Sequence, residues 1–319
     1  MTSHLGPSAG TRMRAVVRTS PAITAVEFAD VSVPGFAADE LLVRVQAIGV
    51  GVHDPLFLPA EVQYPYTIGI EAAGTVVAVG EQVTGLGPGD RIAFVSAMQA
   101  SGGTWAQYTA VRGDALIASV PDDVDAATAA ALPVAGSTAV RSFLSLPDPL
   151  ESGSVLFIAG GSGAIGTLAI QLARRAGWTV AASASPGNHE YMSSLGAEMT
   201  VDYRDPDWQR RILDWSPHGV QAALAIQPGT TAESLPVVTD AGTIVTVSGD
   251  PLATERDITV RGLDQTARVD AVLQTLLDGA ADGSLQVEIE RDYPFDAALE
   301  AIDKVRQRHA RGKVVITIE

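Results

Sequence analysis

The sequence predicts an α/β fold: a doubly wound parallel sheet joined to a second, β-rich domain. Three observations carry this expectation. From Val155 onward, short apolar runs alternate with stretches of helical spacing. A cluster of small residues, Gly160-Gly161-Ser162-Gly163-Ala164-Ile165-Gly166, falls between one such run and the helix that follows it. Before about Asp122 the pattern is strand and glycine turn, with no long helical period. With 319 residues, 46% of them hydrophobic, the chain can fill a core in each of two domains.

The elements follow in order. Arg14–Thr19 and Leu41–Val50 read as half-buried strands. Ala72–Val95 reads as two strands around a turn region punctuated by Gly85, Gly87, Pro88 and Gly89, and Gly102–Val111 as another strand. Pro121–Asp125 is a helix-start signal, and Asp125–Leu146 has helical spacing interrupted at Pro133. Strands are then expected at Val155–Ala159, Thr179–Ala184, Glu198–Tyr203, Val220–Ile226 and Gly242–Gly249. The helices between them are expected at Gly163–Ala176, His189–Leu195 and Asp207–Ser216. Two amphipathic helices, Arg268–Gly283 and Phe295–Arg308, and a closing strand, Gly312–Glu319, complete the chain. Residues 123–259 are thus expected to form the α/β domain, and 13–122 with 260–319 the β-rich one. Residues 1–12 are expected to be a flexible leader.

Composition narrows the function classes. A formal charge of -16 repels phosphate backbones and anionic lipid surfaces, which argues against nucleic-acid and membrane partners. The absence of cysteine rules out disulfides and thiolate metal sites. No apolar run approaches a membrane span, and the first residues lack the apolar centre of a signal peptide, so a cytoplasmic location is expected.

The glycine cluster follows a strand and opens a helix. Glycines let a pyrophosphate approach the backbone, and the helix start offers unpaired N–H groups and the positive end of its dipole. A dinucleotide is therefore the expected ligand of Gly160, Gly161, Ser162, Gly163, Ala164, Ile165 and Gly166. NAD sites place a carboxylate at the end of the second strand to hold the ribose hydroxyls. Here that strand ends Ser183-Ala184-Ser185. Ser183, Ser185, His189 and Tyr203-Arg204 could instead receive a 2′-phosphate, which favours NADPH. Tyr203 and Arg204 could equally be surface residues of a turn.

Several blocks occur in an order that resembles the medium-chain dehydrogenase/reductase superfamily, in its zinc-free NADPH:quinone oxidoreductase-like group. They are "EAAGTVVAVGEQVTGLGPGDRIA", "GGTWAQYTAV", "AAALPVAGSTA", "GGSGAIG", "SSLGAEMTVDY" and "ARGKVVITIE". The resemblance covers nearly everything from Met13 to Glu319. It implies a GroES-like catalytic domain split around a Rossmann domain, an interdomain cofactor, a small electrophilic substrate and a homodimer. Zinc relatives carry ligands where this chain has Gly51 and Ile70, so no metal is expected. What remains is hydride transfer to an electron-poor carbon, with donors needed at the oxygen that gains charge.

Tyr64 is the first candidate donor, because related enoyl-thioester reductases place a tyrosine in a similar stretch; a packed tyrosine is the alternative. His53 is the second, near a family proton-relay position. Thr138 in "GSTA" matches a threonine the family places near the nicotinamide, and Lys313 in "RGKVV" matches a family lysine. Three departures stand out: Gly51 where quinone reductases carry Asn, no lysine after the second strand, and "LAIQPG" (Leu224–Gly229) in place of an Asp-containing turn. They keep two other readings open: a non-reductive enzyme such as a cyclase, and a non-catalytic NADPH-binding protein.

Overall fold

The structure, a computed structural model, describes residues 6–7, 10–96, 98–148, 153–251, 253, 256–264, 267 and 269–319. Residues 1–5 and 8–9 of the expected leader, and Arg268 at the start of an expected helix, lie outside the described residues. The chain divides into two compact units. The first comprises 1–134, 270–284 and 289–319, and the second comprises 135–269 and 285–288.

The second unit is built on a six-stranded sheet. Its spatial order is Met199–Val201, Thr179–Ser183, Val155–Ala159, Val220–Ala225, Val238–Thr246, Thr259–Arg261. Every neighbouring pair is parallel. The strand order therefore runs outward from Val155–Ala159 in both directions, as in a dinucleotide-binding Rossmann sheet. Val155–Ala159 is central and buried at every position, which is why it reads as a continuous apolar run rather than an alternating one. Helices Ala164–Arg175, His189–Ser194 and Trp208–Trp215 connect the strands. The expected strand and helix centres hold, with ends displaced by a few residues.

The first unit holds a seven-stranded sheet and a three-stranded one. Glu40–Val50 is the long strand of the larger sheet. One of its edges is shared: Tyr108–Arg112 pairs with residues 40–44 and Lys313–Thr317 with residues 47–50. Glu71–Val79 covers the other edge. In the smaller sheet Arg12–Arg18 lies between Val26–Ser32 and Tyr66–Thr67. Trp105, Phe94, Ile48, Ile68 and Ile92 fill the core between these strands.

The structure corrects four expectations. Residues 123–134 belong to the first unit, not the α/β one. Helix Ala126–Ala130 lies so close to strand Glu40–Val50 that a Cβ on Gly49 would sit 2.3 Å from the Ala130 carbonyl oxygen. Residues 260–269 and 285–288 belong to the second unit, where Thr259–Arg261 pairs as the sixth parallel strand. The strand expected from Gly102 begins at Tyr108, since the preceding residues spend their amides elsewhere: Trp105 N–H donates to the Ile68 carbonyl at 2.9 Å. Arg12 opens the first strand, paired with Ser32, rather than closing a leader. Asp125 does cap the helix it was expected to start, accepting from the Thr128 amide at 2.7 Å. Among the described residues no helix is long and apolar enough to cross a membrane.

Candidate functional site

In the second unit the glycine loop joins the central strand to helix Ala164–Arg175. Its spacing is Gly161-x-Gly163-x-x-Gly166, and the three glycines differ in what surrounds them. A Cβ at Gly161 would press on Ala182 and Met192 at 2.8 and 2.9 Å. One at Gly166 would lie 2.3 Å from the Gly160 carbonyl oxygen. One at Gly163 would meet nothing nearer than that same oxygen, at 3.7 Å. Gly161 and Gly166 are thus required by packing, whereas Gly163 faces open space. Gly160 has φ +89°, which turns the chain away from the strand. Amides at the start of the helix have no intrahelical partner, so they are available to an anion.

The Ser183 side chain turns toward the glycine loop itself. It is buried; its hydroxyl accepts from the Gly160 amide at 3.3 Å and its carbonyl from the Gly161 amide at 2.9 Å. Ser183 therefore shapes the loop. Ser162 and Ser185 converge instead on Asn188, whose amide donates to their hydroxyls at 3.3 and 3.2 Å. His189 closes on the Ala184 carbonyl at 3.1 Å. Tyr203 is 44% exposed, with the Arg204 guanidinium 5.6 Å from its ring centre. Arg204 is held by Asp202, through its amide and Nε, both at 3.1 Å. That amide and the guanidinium keep the Asp202 carboxyl below the usual carboxylate range. Thr138 is half-buried in helix Pro133–Leu144, and its carbonyl accepts from the Ser142 hydroxyl.

In the first unit the segment 51–58 is a tight loop. Leu56 and Phe57 amides both donate to the His53 carbonyl, at 2.7 and 3.0 Å. The His53 ring meets Phe57 edge-on, with centres 5.5 Å apart. Partial burial, and then the Arg308 guanidinium, lower the proton affinity of His53. The imidazole is therefore neutral near pH 7: it can donate one N–H bond but is a poor proton source. Of the two tyrosines in "QYPY", Tyr66 is buried and donates to the Gln99 carbonyl at 2.7 Å, its phenol pushed up to about 12 by burial. The Tyr64 hydroxyl has no hydrogen bond among the described residues, and its half-buried ring lies 5.9 Å from the Arg18 guanidinium. Tyr64 is thus the phenol of this stretch free to meet a ligand.

Beneath the loop lies a buried charged cluster, of which the sequence singles out Lys313 alone as a candidate. Lys313, expected toward the cofactor, is buried and its ammonium pairs with Glu71 Oε1. Glu71 Oε2 accepts from the Val134 amide at 2.7 Å. Asp54 is fully buried; Oδ2 accepts from the Gly51 amide at 2.7 Å, while Oδ1 has no partner among the described residues. A Cβ at Gly51 would find only Asp54 Oδ2 and the His53 nitrogen, at 3.9 and 4.0 Å, so a larger side chain fits there. Glu71 was legible only as the end of "GIE", and Asp54 only as the end of "VHD".

Burial raises the Asp54 carboxyl to about 7, against the pull of the Gly51 amide and Lys313, with Glu71 adding to the rise. The folded protein therefore keeps a proton that the unfolded chain releases near pH 4. This contribution to stability is complete below about pH 4 and is lost as the pH climbs to about 7. Asp54→Asn is expected to remove that slope. Relative to wild type it should gain on the order of a few kcal/mol between pH 5 and pH 8 in urea unfolding. Parallel pH profiles for the two proteins would show that Asp54 is not the group responsible.

Comparison with known proteins bears on the family and the fold. The family model described as "Alcohol dehydrogenase GroES-like domain" matches residues 37–122, and that described as "Zinc-binding dehydrogenase" matches 195–316. The solved structure of the quinone oxidoreductase from Coxiella burnetii superposes with a TM-score of 0.84, at 25% identity, over 97% of this chain and 100% of that one. The chain belongs to the medium-chain dehydrogenase/reductase superfamily, in its quinone oxidoreductase-like group. Among curated members, it is 27% identical to a chloroplastic quinone-oxidoreductase homolog of Spinacia oleracea, over 92% of this chain and 94% of that one. It is 33% identical to a trans-enoyl reductase of Aspergillus terreus (strain NIH 2624 / FGSC A1156) over 55% of this chain. The match spans 64% of that reductase's own length. The GroES-like and Rossmann parts of the superfamily fold are both present.

Proposed function

We propose that the chain is a zinc-independent, NADPH-dependent reductase that transfers hydride to an activated C=C bond, in an enone or enoyl thioester, or to a quinone. The observation that carries the cofactor half is the loop after the central strand. Gly163 leaves its backbone uncovered, and Ser162, Ser185 and Asn188 gather beside it with no carboxylate between Ser183 and His189. That donor set suits a 2′-phosphate and offers a bare ribose diol no acceptor carboxylate. Tyr203 and Arg204 stand at the end of the neighbouring strand, and Thr138 and Lys313 are the family positions retained. Gly51 and Ile70 supply no metal ligand, which leaves polarisation of the acceptor to hydrogen-bond donors.

When bound, the nicotinamide supplies the hydride. Addition at the β-carbon of an enone leaves negative charge on the carbonyl oxygen, and a quinone leaves it on the phenolic oxygen. Tyr64 donates its O–H to that oxygen, and neutral His53 donates an N–H. The half-exposed Leu56 and Phe57, at 49% and 41%, favour an apolar acceptor beside His53. We further assign the chain a homodimeric state, as the resemblance implies, and a cytoplasmic location, as its sequence composition leads one to expect.

Titration with NADPH beside NADH, followed by quenching of the four tryptophans, tests the cofactor assignment. Selective NADPH binding is expected; preference for NADH would overturn it. Tyr64→Phe is expected to lower turnover with an enone and quinone panel by about 100-fold while leaving NADPH affinity unchanged. An unaltered rate would move the donor role away from Tyr64. NADPH binding without consumption by any acceptor would favour the non-reductive readings.

A further inference from the structure

Arg18 ends strand Arg12–Arg18 and is only 8% exposed. A buried guanidinium ordinarily faces a carboxylate. Among the described residues Arg18 faces none. Its Nε donates to the carbonyls of Ser20 at 3.0 Å and Ala22 at 3.2 Å, and one terminal nitrogen donates to the Pro21 carbonyl. The other reaches the Pro55 carbonyl at 2.8 Å. The guanidinium also lies 5.9 Å from the Tyr64 ring centre, and the Arg18 backbone pairs with Tyr66.

One side chain thus ties three segments together: the turn 20–22, the loop carrying His53, and the strand entry carrying Tyr64. Pro55 is the middle of that loop. On one side Asp54 holds the Gly51 amide, and on the other the Leu56 and Phe57 amides hold the His53 carbonyl. Packing alone does not call for a cation here. An apolar side chain of similar length would fill the space without the desolvation cost. What only arginine supplies is a rigid planar fork that reaches separate carbonyls at fixed angles.

We infer that Arg18 is a positioning residue, which sets the His53 loop and the Tyr64 ring in the arrangement that meets the acceptor. The inference rests on the reading of Tyr64 as donor. Arg18 itself spends its donors on backbone carbonyls and does not touch the acceptor.

The test is a double-mutant cycle of Arg18→Lys with Tyr64→Phe, read in kcat, joined to fluorine NMR of protein labelled with 3-fluorotyrosine. Lysine keeps the charge and loses the fork. Arg18→Lys is expected to lower kcat about tenfold, since small displacements of a positioned group are costly, with NADPH affinity unchanged. In the Tyr64→Phe background it should cost clearly less, about threefold, because the part of its effect that passes through Tyr64 is already gone and only the part through the His53 loop remains. Losses that multiply would assign Arg18 to general stability and overturn the inference. Of the six tyrosine signals, the one that disappears in Tyr64→Phe should move in Arg18→Lys; a fixed signal also overturns it. If wild type reduces no acceptor while that signal moves, the reductase reading fails and the positioning stands. Arg18→Gln is the second variant should Arg18→Lys not fold, and failure of both to fold would reduce Arg18 to a structural role.

Discussion

Gly166→Ala is expected to abolish dinucleotide binding, whereas Gly163→Ala is expected to leave the fold intact and weaken binding at least tenfold, about 1.4 kcal/mol. The two glycines lie in one loop, and the difference follows from what a methyl group would meet. At position 166 it would stand 2.3 Å from the Gly160 carbonyl oxygen and 2.7 Å from Gly161 backbone atoms. Nothing there can rotate away, so the loop must move or the helix must lift from the strand. Overpacking of this kind costs about 1–3 kcal/mol in a core with flexible side chains, and more against backbone. At position 163 the methyl would have 3.7 Å to its nearest neighbour, and the residue's φ of -80° suits any L-amino acid. Its thermal unfolding should therefore stay within a few degrees of wild type. Only a ligand brought against the backbone would feel the added carbon. Calorimetric unfolding of each variant, beside NADPH titration, separates the cases. Full NADPH affinity in Gly163→Ala would show that the pyrophosphate does not approach this loop.

Lys313→Met is expected to destabilise the first unit by about 3–5 kcal/mol, a large share of the ~5–15 kcal/mol typical of a folded domain. The Glu71 carboxylate would lose its ammonium and keep only the Val134 amide, in a site from which water is excluded. Asp54, also buried, would then lie near an uncompensated charge. The pair need not be a net stabiliser, because replacing both partners of a buried ion pair is often neutral. Glu71→Gln combined with Lys313→Met is accordingly expected to recover at least half of the loss. Urea unfolding of the two single variants and the double variant reads this coupling directly. Additive losses would mean that the pair does not act as a unit.

These two sites differ in how far they could be read beforehand. The glycine loop is local. Its strand, turn and helix lie within a single stretch, and each leaves its own mark on the residues. The buried cluster is not local. Asp54, Glu71 and Lys313 sit on a loop and on two strands far apart in the chain, and each looked ordinary in its own neighbourhood. Lys313 read as a family lysine before the last strand. Only the pairing of Lys313–Thr317 with residues 47–50, alongside Glu71–Val79, brings the three together. Arg18 was silent for the same reason: an arginine at a strand end is usually solvated, and its four carbonyl partners come from loops with no sequence signal. Ser183 shows the complementary case, a correctly placed residue whose hydroxyl turned inward once Gly160 was beside it.

By itself the sequence determined the alternation of strand and helix from Val155 onward, the nature of the glycine loop and the membership of the superfamily. Those properties depend on residues close along the chain, or on blocks in a set order. Tertiary structure alone decided where the units divide, which phenol of "QYPY" stays free and where the buried charges pair. Each of those depends on desolvation and on hydrogen-bond partners from distant segments. The energy of a buried polar group is set by whatever the fold places around it.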